Sequence, residues 1–414
     1  MSQWWVGLAV GLLVGLTAGA GWSAESAKAL RQGRLYVDGE WVFLKIGKPL
    51  RNFADAGSVD QLIADLPIIQ EKAYNCLELN CYWHHFDPNG DGEIDMSLDP
   101  LRRLIDAITA RGMFACLSVE TYGVGGGTVP AGFWERHPDA IAVNAEGREV
   151  RDTEYGFGSA VPSQFAPAYL EASRRYIENL TAALPHEKLL YFETTVEPQY
   201  IGNQNIDYSI HARRAYEAWR AKAGGVGPPW PEAFPVPEAF RTDPVWSRFR
   251  AEALADWVNG DAAAFRRVAG EDAWIAVDYL ETGGPEMPNR NGDSMTFLER
   301  LTGVNILQVN WHWHVGRRAP NEVAYRNVAA IGRDWAVAEH MTLNGSDYRP
   351  EEVPAMLRNT LERGTRFGWE FVNLGPGTNA PFSLYNDDWT PKPLMAEVDG
   401  RWDAWMAEVR AGAE

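Results

Sequence analysis

Eight short apolar runs recur along the chain and constrain its fold more than any other feature. Each run is rich in β-branched or aromatic residues, and each is followed by loop residues and then a helical pattern. Five of the seven intervals between successive starts are 30 to 37 residues long, which is typical of one strand and helix of a parallel barrel. The runs begin at Phe43, Cys76, Met113, Lys188, Ala273, Val304, Asp334 and Arg366.

We therefore predict an α/β fold, a (β/α)8 TIM barrel, in which the two longest intervals are insertions after strands 3 and 4. The second insertion contains a Pro-rich stretch at 223–240, where a domain boundary is the alternative. A hairpin turning on Asp38 and Gly39 precedes the first strand and is expected to close the bottom of the barrel. Residues 25–414 are then one (β/α)8 barrel domain.

The N-terminal segment carries an apolar run from Trp4 to Thr17, followed by small residues with candidate cleavage positions at Ala20 and Ala24. It predicts a signal peptide over residues 1–24 and a periplasmic or secreted protein. Because basic residues are absent before the apolar run, a retained membrane anchor is the alternative. No other stretch approaches the roughly 20 apolar residues of a membrane span.

The charge and the aromatic content narrow the class of partner. A net charge of −18 argues against nucleic acid, because proteins bind phosphates mainly through Lys and Arg. The chain has 18 Trp, whose flat faces suit stacking on sugars, and core packing is the alternative use. Three cysteines without metal spacing are interpreted as buried thiols.

Barrel enzymes carry their chemistry at the carboxyl ends of the strands. Four glutamates fall at such ends, namely Glu120, Glu197, Glu281 and Glu339, after strands 3, 4, 5 and 7. Two carboxylates about 5–5.5 Å apart suffice to hydrolyse a glycoside with retention of configuration. The ends of strands 4 and 7 can face each other across the barrel mouth, which favours Glu197 and Glu339.

Two segments resemble the large clan of retaining (β/α)8 glycoside hydrolases. The sequence "TVEPQY" at 195–200 is similar to the strand-4 Asn-Glu-Pro motif of that clan, and "WAVAEHMTLNG" at 335–345 is similar to its strand-7 nucleophile segment. The closest resemblance is to family 42 β-galactosidases and family 5 cellulase-like enzymes. It implies that Glu197 is the acid/base, that Glu339 is the nucleophile, and that a β-linked oligo- or polysaccharide is cleaved without an organic cofactor.

The resemblance extends to the strand-3 loop at 130–150 and to the closing segment at 383–398. Two departures matter, because Val196 stands where the clan has Asn before the acid/base, and "CLELNCYW" lacks the Arg usual on strand 2. A barrel that binds saccharide without cleaving it is therefore an alternative. Glu193 is a rival acid/base that lies four residues earlier and deeper in the barrel.

Further side chains near the strand ends are expected to bind substrate. The sequence "NWHWH" places Asn310, His312 and His314 on one face of strand 6. A His-x-His pair can also ligate zinc, so a metal-dependent hydrolase is a third hypothesis. The expected substrate-binding residues are Asn80, Trp83, Glu120, Asn310, His312, His314 and Trp369.

The segment after strand 2, "DPNGDGEID" from Asp87, is similar to a calcium loop. Asp87, Asn89 and Asp91 occupy positions 1, 3 and 5 of an EF-hand loop, but position 12 is Leu98 instead of Glu. The preceding segment is typical of a strand and not of an entering helix. We predict an Asx and Gly turn of the strand-2 loop, with a structural calcium site as the alternative.

Overall fold

The computed structural model describes most of the chain, with gaps that include residues 1–26. The predicted signal peptide and the candidate residues Glu281, His312 and His314 therefore lie outside the described residues. The described residues are 27–123, 127–151, 158–194, 196–201, 206–280, 290, 292–310, 322–346, 348–376 and 382–411.

A small antiparallel sheet precedes the barrel. It consists of β1 (Lys28–Arg31), β2 (Arg34–Val37) and β3 (Glu40–Val42) in that order. Strands β2 and β3 form the predicted hairpin and turn on Asp38 and Gly39, both of which have positive φ angles. Such angles are typical of two-residue hairpin turns.

Eight parallel strands then close into a barrel, which confirms the predicted fold class. They pair in chain order, and the last strand pairs with the first. They are β4 (Leu44–Lys48), β5 (Cys76–Tyr82), β6 (Phe114–Glu120), β7 (Leu189–Glu193), β8 (Ile275–Leu280), β9 (Ile306–Asn310), β10 (Ala336–Met341) and β11 (Gly368–Val372).

Helices connect and surround the strands. Four of them follow a residue whose side chain accepts a hydrogen bond from the first turn, namely Asp55, Ser209, Asp243 and Asp293. They are α1 (Ala56–Glu71), α2 (Trp83–Phe86), α3 (Asp99–Ala110), α4 (Ala131–Arg136), α5 (Pro167–Ala183), α6 (Ile210–Lys222), α7 (Glu238–Arg241), α8 (Pro244–Ala269), α9 (Ser294–Arg300), α10 (Glu322–Ile331), α11 (Val353–Glu362) and α12 (Pro393–Ala411).

The barrel strands alternate between two buried faces. In β5, Leu77 and Leu79 pack in the large apolar cluster between strands and helices, whereas Glu78 and Asn80 point into the barrel. A strand with side chains of period two must divide its residues in this way. The interior of the barrel is therefore polar over its carboxyl half.

The small sheet closes the amino end of the barrel, as predicted. Leu35, Val37 and Val42 pack in one cluster with inward residues from the starts of the barrel strands, including Cys76 and Phe114. This apolar layer covers the polar interior from below, so within the described part of the chain the approach for a solute is from the carboxyl end of the strands.

The long interval between β7 and β8 has an aromatic cluster of its own. Tyr208, Tyr216 and Trp246 pack there with Phe240 and Phe249, joining the starts of α6 and α8 to the segment between them. Within the described residues, no helix has both the length and the apolar character that crossing a membrane requires.

Gly368 lies where the barrel closes. A Cβ atom at this position would lie 2.6 Å from the backbone oxygen of Leu44 on the paired strand β4. We expect Gly368→Ala to separate these strands and to lower the free energy of unfolding by about 1–3 kcal/mol, as overpacking does. Gly400→Ala is the control, because a Cβ atom there meets nothing within 4 Å on α12, and it should stabilise by about 0.5–1 kcal/mol. Urea denaturation of both variants would test this, and equal effects would contradict it.

Candidate active site

A buried ion network occupies the centre of the barrel. Lys48 Nζ lies 2.6 Å from Glu78 Oε1, 2.9 Å from Glu193 Oε2 and 3.2 Å from Glu370 Oε1. The four residues come from β4, β5, β7 and β11, and all are buried. Burial alone lowers the pKa of Lys48, but the three carboxylates outweigh it, so the pKa is raised well above its usual value.

Neutral groups complete this network. The Tyr191 hydroxyl donates to Glu78 Oε2 at 2.6 Å, and Gln308 Nε2 donates to the same oxygen at 2.7 Å. Burial and the charge of Glu78 raise the pKa of Glu193 well above its usual value. Glu193 is thus held deep in the barrel by Lys48, which makes it a poor rival to Glu197 as acid/base.

Glu197 lies four residues beyond the end of β7, at the carboxyl end of the barrel. Asn310 Nδ2 donates to its Oε1, and Gln199 Nε2 donates to its Oε2 at 3.2 Å. Its φ of 48° is in the left-handed region that residues other than glycine rarely adopt, and such backbone conformations concentrate at functional sites. The structure therefore brings together two predicted site residues, Glu197 and Asn310.

Burial raises the pKa of the Glu197 carboxyl above its usual value, against the opposing charges of His340, Arg290 and Lys48. Arg290 also fixes the neighbouring amide, since its Nη1 donates to Gln199 Oε1 at 3.0 Å. A carboxyl with a raised pKa can keep its proton near neutral pH, which is what a general acid requires.

Asn80 and Glu120 are also brought together. They point inward from the neighbouring strands β5 and β6, and Asn80 Nδ2 donates to Glu120 Oε1. Burial raises the pKa of Glu120 to about 7, while Lys48 opposes the shift. This pair offers an amide and a titratable carboxyl to the same interior as Glu197, whose charge is also felt at Glu120.

Glu339 faces away from that interior. It pairs with Val309 and Trp369 in the adjacent strands, and both of these side chains pack in the cluster between strands and helices. Tyr325 of α10 donates its hydroxyl hydrogen to Glu339 Oε2, and burial raises the pKa of Glu339 well above its usual value. The predicted arrangement of Glu339 opposite Glu197 is therefore not found, because the inward residue of β10 is its neighbour His340.

His340 lies between two carboxyls inside the barrel. Its Nδ1 is 2.5 Å from Glu370 Oε2 and 3.8 Å from Asp278 Oδ2. Burial lowers the pKa of His340, but Asp278 and Glu370 outweigh it and raise it to about 9. The imidazole is therefore a cation at neutral pH.

Asp278 on β8 was not among the predicted site residues. Burial raises its pKa to about 8, with His340 opposing and the charge of Glu197 adding to the shift. The sequence "IAVDYL" could have identified it. Alternate residues of a strand face opposite sides, so Asp278 shares a face with Ala276, whereas Val277 and Tyr279 face the helices.

The two tryptophans expected to bind substrate lie in the core. Trp83 donates from Nε1 to Asp87 Oδ2 at 2.8 Å and is packed beside Tyr176. Trp369 donates to Thr360 Oγ1 at 2.8 Å and contacts the α12 helix through Trp402. Both indoles are fully buried, so neither offers a face to a sugar, and core packing is their observed use.

The loop at Asp87 is a hydrogen-bonded turn. The Asp87 carboxylate accepts hydrogen bonds from Trp83 Nε1, from Gly90 N at 2.6 Å and from Gly92 N at 2.7 Å. Asn89 Nδ2 donates to Asp95, and Asp91 accepts from Glu93 N. Over the described part of the chain, no group of three or more His, Cys, Asp or Glu is arranged to hold a metal ion. These contacts favour the turn over the calcium loop.

Asp87→Ala should lower the free energy of unfolding by about 2–4 kcal/mol, because it leaves buried donors without their acceptor. Asp91→Ala, at an exposed position of the same loop, should change it by less than about 0.5 kcal/mol. Thermal melting with calcium or with a chelator should give the same Tm for the parent protein. A rise in Tm with calcium would restore the calcium hypothesis, since a ligand of the native state stabilises it.

Lys48→Met should lower the free energy of unfolding by about 3–5 kcal/mol near pH 7, because three buried carboxyls lose their cation. Without the cation the buried carboxyls are costly to ionise, so the loss should be small below the unfolded carboxyl pKa of about 4.3 and grow as the pH rises. Denaturant curves across that range would measure it. Lys188→Met, which removes a surface ion pair with Asp106, should change little, and a loss independent of pH would contradict the explanation.

Comparison with known proteins places this geometry in context. A family profile described as glycoside hydrolase family 42, β-galactosidase, matches residues 55–224. That segment holds β5, β6 and β7 together with Asn80, Glu120 and Glu197. Among curated proteins no match was found.

Solved structures share the fold at low identity. The β-galactosidase of the psychrophilic Marinomonas ef1 superposes with a TM-score of 0.67 at 13% identity, over 89% of this chain and 60% of that one. The cold-adapted β-galactosidase of Rahnella sp. R3 gives 0.65 at 11%, over 89% and 56%. The catalytic domain of the Paenibacillus polymyxa β-amylase gives 0.61 at 12%, over 87% and 98%. The chain thus spans less than two thirds of the β-galactosidases it matches.

Proposed function

Because a family 42 β-galactosidase profile matches residues 55–224, we propose that the chain is a glycoside hydrolase that cleaves a β-linked oligo- or polysaccharide with retention of configuration. The family implies a carbohydrate substrate, and the barrel admits one only at the carboxyl end of its strands. The side chains of Glu197, Asn310, Glu120 and Asn80 converge there. These carboxyl and amide groups can bind sugar hydroxyls, since each offers donors or acceptors.

Glu197 is the general acid of this proposal, and its environment is the observation that carries it. The carboxyl is buried at the mouth with a raised pKa, and two amides orient it. A protonated Glu197 would donate to the leaving oxygen, and its carboxylate would then take a proton from the attacking water. Val196 has no amide group at the position where the clan has Asn. The amide beside the Glu197 carboxyl comes instead from Asn310, at the end of β9.

The proposal includes export. The apolar run at 4–17 and the small residues after it support removal of residues 1–24 and a periplasmic or secreted enzyme. The intact mass of the protein purified from its native cell would test this, because an uncleaved chain would support the retained anchor instead.

A barrel that binds saccharide without cleaving it is the second candidate, and the outward orientation of Glu339 is the observation that favours it. A panel of nitrophenyl glycosides separates the two functions. The proposed enzyme releases nitrophenol from at least one β-glycoside, whereas a binding protein gives a measurable Kd by calorimetry and no turnover on any of them.

Glu197→Gln should lower kcat on unactivated glycosides by about 10²–10⁴, because the leaving oxygen loses its proton donor. The loss should be much smaller on dinitrophenyl glycosides, whose leaving group needs little protonation. Steady-state rates on both substrate types would measure the difference.

Glu187→Gln is the matched control, since Glu187 is exposed next to the start of β7. It should retain the parent rates on both substrate types. If Glu197→Gln keeps unactivated activity within about tenfold of the parent, Glu197 is not the general acid.

A further inference from the structure

We propose that Asp278 is the second catalytic carboxylate, and that His340 and Glu370 are the residues that position it. This assignment rests on the proposed function, because it needs Glu197 to act as the acid. It moves the role that the strand-7 motif gives to Glu339 from the outward face of β10 to the inward face of β8. The arrangement of the inward side chains supports it in three steps.

First, Asp278 points into the barrel, and within the described residues neither of its carboxyl oxygens has a hydrogen-bond partner. Ala276 on the same face packs in the interior cluster, while Val277 and Tyr279 pack toward the helices. Asp278 is fully buried, and none of the described residues donates a hydrogen bond to either of its oxygens. A buried carboxyl without donors is costly unless a ligand or a reaction uses it.

Second, the other inward carboxyls are already engaged. Glu78, Glu193 and Glu370 surround Lys48, at 2.6, 2.9 and 3.2 Å. Glu120 accepts a hydrogen bond from Asn80. Among the described inward carboxyls named here, Asp278 alone has neither oxygen in a hydrogen bond, which leaves it available to a substrate.

Third, a cation stands beside Asp278. His340 Nδ1 lies 3.8 Å from Asp278 Oδ2 and donates to Glu370 at 2.5 Å, and Glu370 is itself paired with Lys48. Glu370 and Lys48 thus hold the imidazole in place. The charged groups felt at Asp278 are His340 of β10, Glu197 after β7, Lys48 of β4 and Glu370 of β11.

These charges allow Glu197 and Asp278 to share one proton. Two nearby carboxyls cannot both ionise freely, so the proton that Glu197 holds removes its repulsion of Asp278. The imidazolium of His340 then favours the ionised form of Asp278. With the shared proton on Glu197, Asp278 is ionised, and that is the state that a retaining glycosidase needs before reaction.

The chemical steps balance with water as the only co-reactant. An oxygen of Asp278 forms a bond to the anomeric carbon while the bond from that carbon to the leaving oxygen breaks, and its electron pair takes the proton of Glu197. Water then loses a proton to Glu197 and forms a bond to the same carbon. The ester bond breaks, and its electron pair returns to Asp278.

Trapping the glycosyl ester on the unmodified protein tests the assignment directly. The probe is the dinitrophenyl 2-deoxy-2-fluoro glycoside of whichever sugar the nitrophenyl panel shows to be cleaved. Fluorine slows both steps, and the good leaving group restores the first, so the ester accumulates. Peptide mass spectrometry should find the sugar on Asp278. A label on Glu339, Glu281 or another residue would overturn the assignment.

Variants give a second measurement. Asp278→Ala should lose at least about 10³-fold in kcat, and added azide should restore turnover with a glycosyl azide of inverted configuration. Glu339→Gln is the matched control, since the amide keeps the contact with Tyr325, and it should keep the parent rate. Loss of activity in Glu339→Gln, with Asp278→Ala active, would overturn the assignment.

The role of His340 has its own readout. His340→Gln removes the cation beside Asp278, so the pKa of Asp278 should rise and the acidic limb of the kcat/KM profile should move to higher pH. An unchanged limb would show that His340 does not position or charge the carboxyl. If no glycoside is cleaved by the parent protein, the proposed function fails and takes this assignment with it. If glycosides are cleaved and the label lies elsewhere, only this assignment fails.

Discussion

The interaction on which the interior depends is the contact of Lys48 with three carboxyls. One cation cannot neutralise Glu78, Glu193 and Glu370, and none of these groups reaches water. The three carboxyls therefore differ in how easily they ionise. Lys48 and His340 outweigh burial and hold the pKa of Glu370 below its usual range, whereas burial and the charge of Glu78 raise the pKa of Glu193. Negative charge in the interior also affects the other carboxyls. Burial raises the pKa of Glu120, and the charges of Glu78 and Glu197 add to that shift. Burial likewise raises the pKa of Asp278, and the charges of Glu197 and Glu370 add to it.

The fold could be predicted because a strand and helix repeat leaves a signal along the chain that packing does not change. All eight apolar runs became barrel strands, and the hairpin at Asp38 covers the amino end. Each barrel strand is buried on both faces, so apolar residues occur on both faces and the strand is easily recognised even where a residue such as Lys48, Glu78 or Asp278 interrupts the run. The same property hides which face a given side chain occupies. The strand and helix repeat predicted where the strands are. The direction of their side chains could be assigned only from the strand register in the structure.

The placement of the candidate side chains was predictable where position along the chain decided it and unpredictable where orientation did. Asn80, Glu120, Glu197 and Asn310 lie at or near the carboxyl ends of their strands, where the rule for barrel enzymes led us to look. The orientation of Glu339 could not be predicted in this way, because a shift of one residue reverses the face, and the partner that holds it outward, Tyr325, comes from a separate helix. The burial of Trp83 and Trp369 likewise depends on helices packed outside the barrel, which no local pattern reveals.

Side-chain orientation also limits what a sequence motif can say about function. A motif identifies which residue types are present, but an active site depends on the direction in which their side chains point. In β10 the inward positions hold Ala336, Ala338 and His340, so small residues below the imidazole leave the barrel centre to Lys48 and its carboxyls. A carboxylate turned inward on this strand would have joined a region that already has more acids than cations. A histidine there adds a positive charge beside Asp278 and Glu370 instead. The ion network thus favours a cation at the inward position of β10.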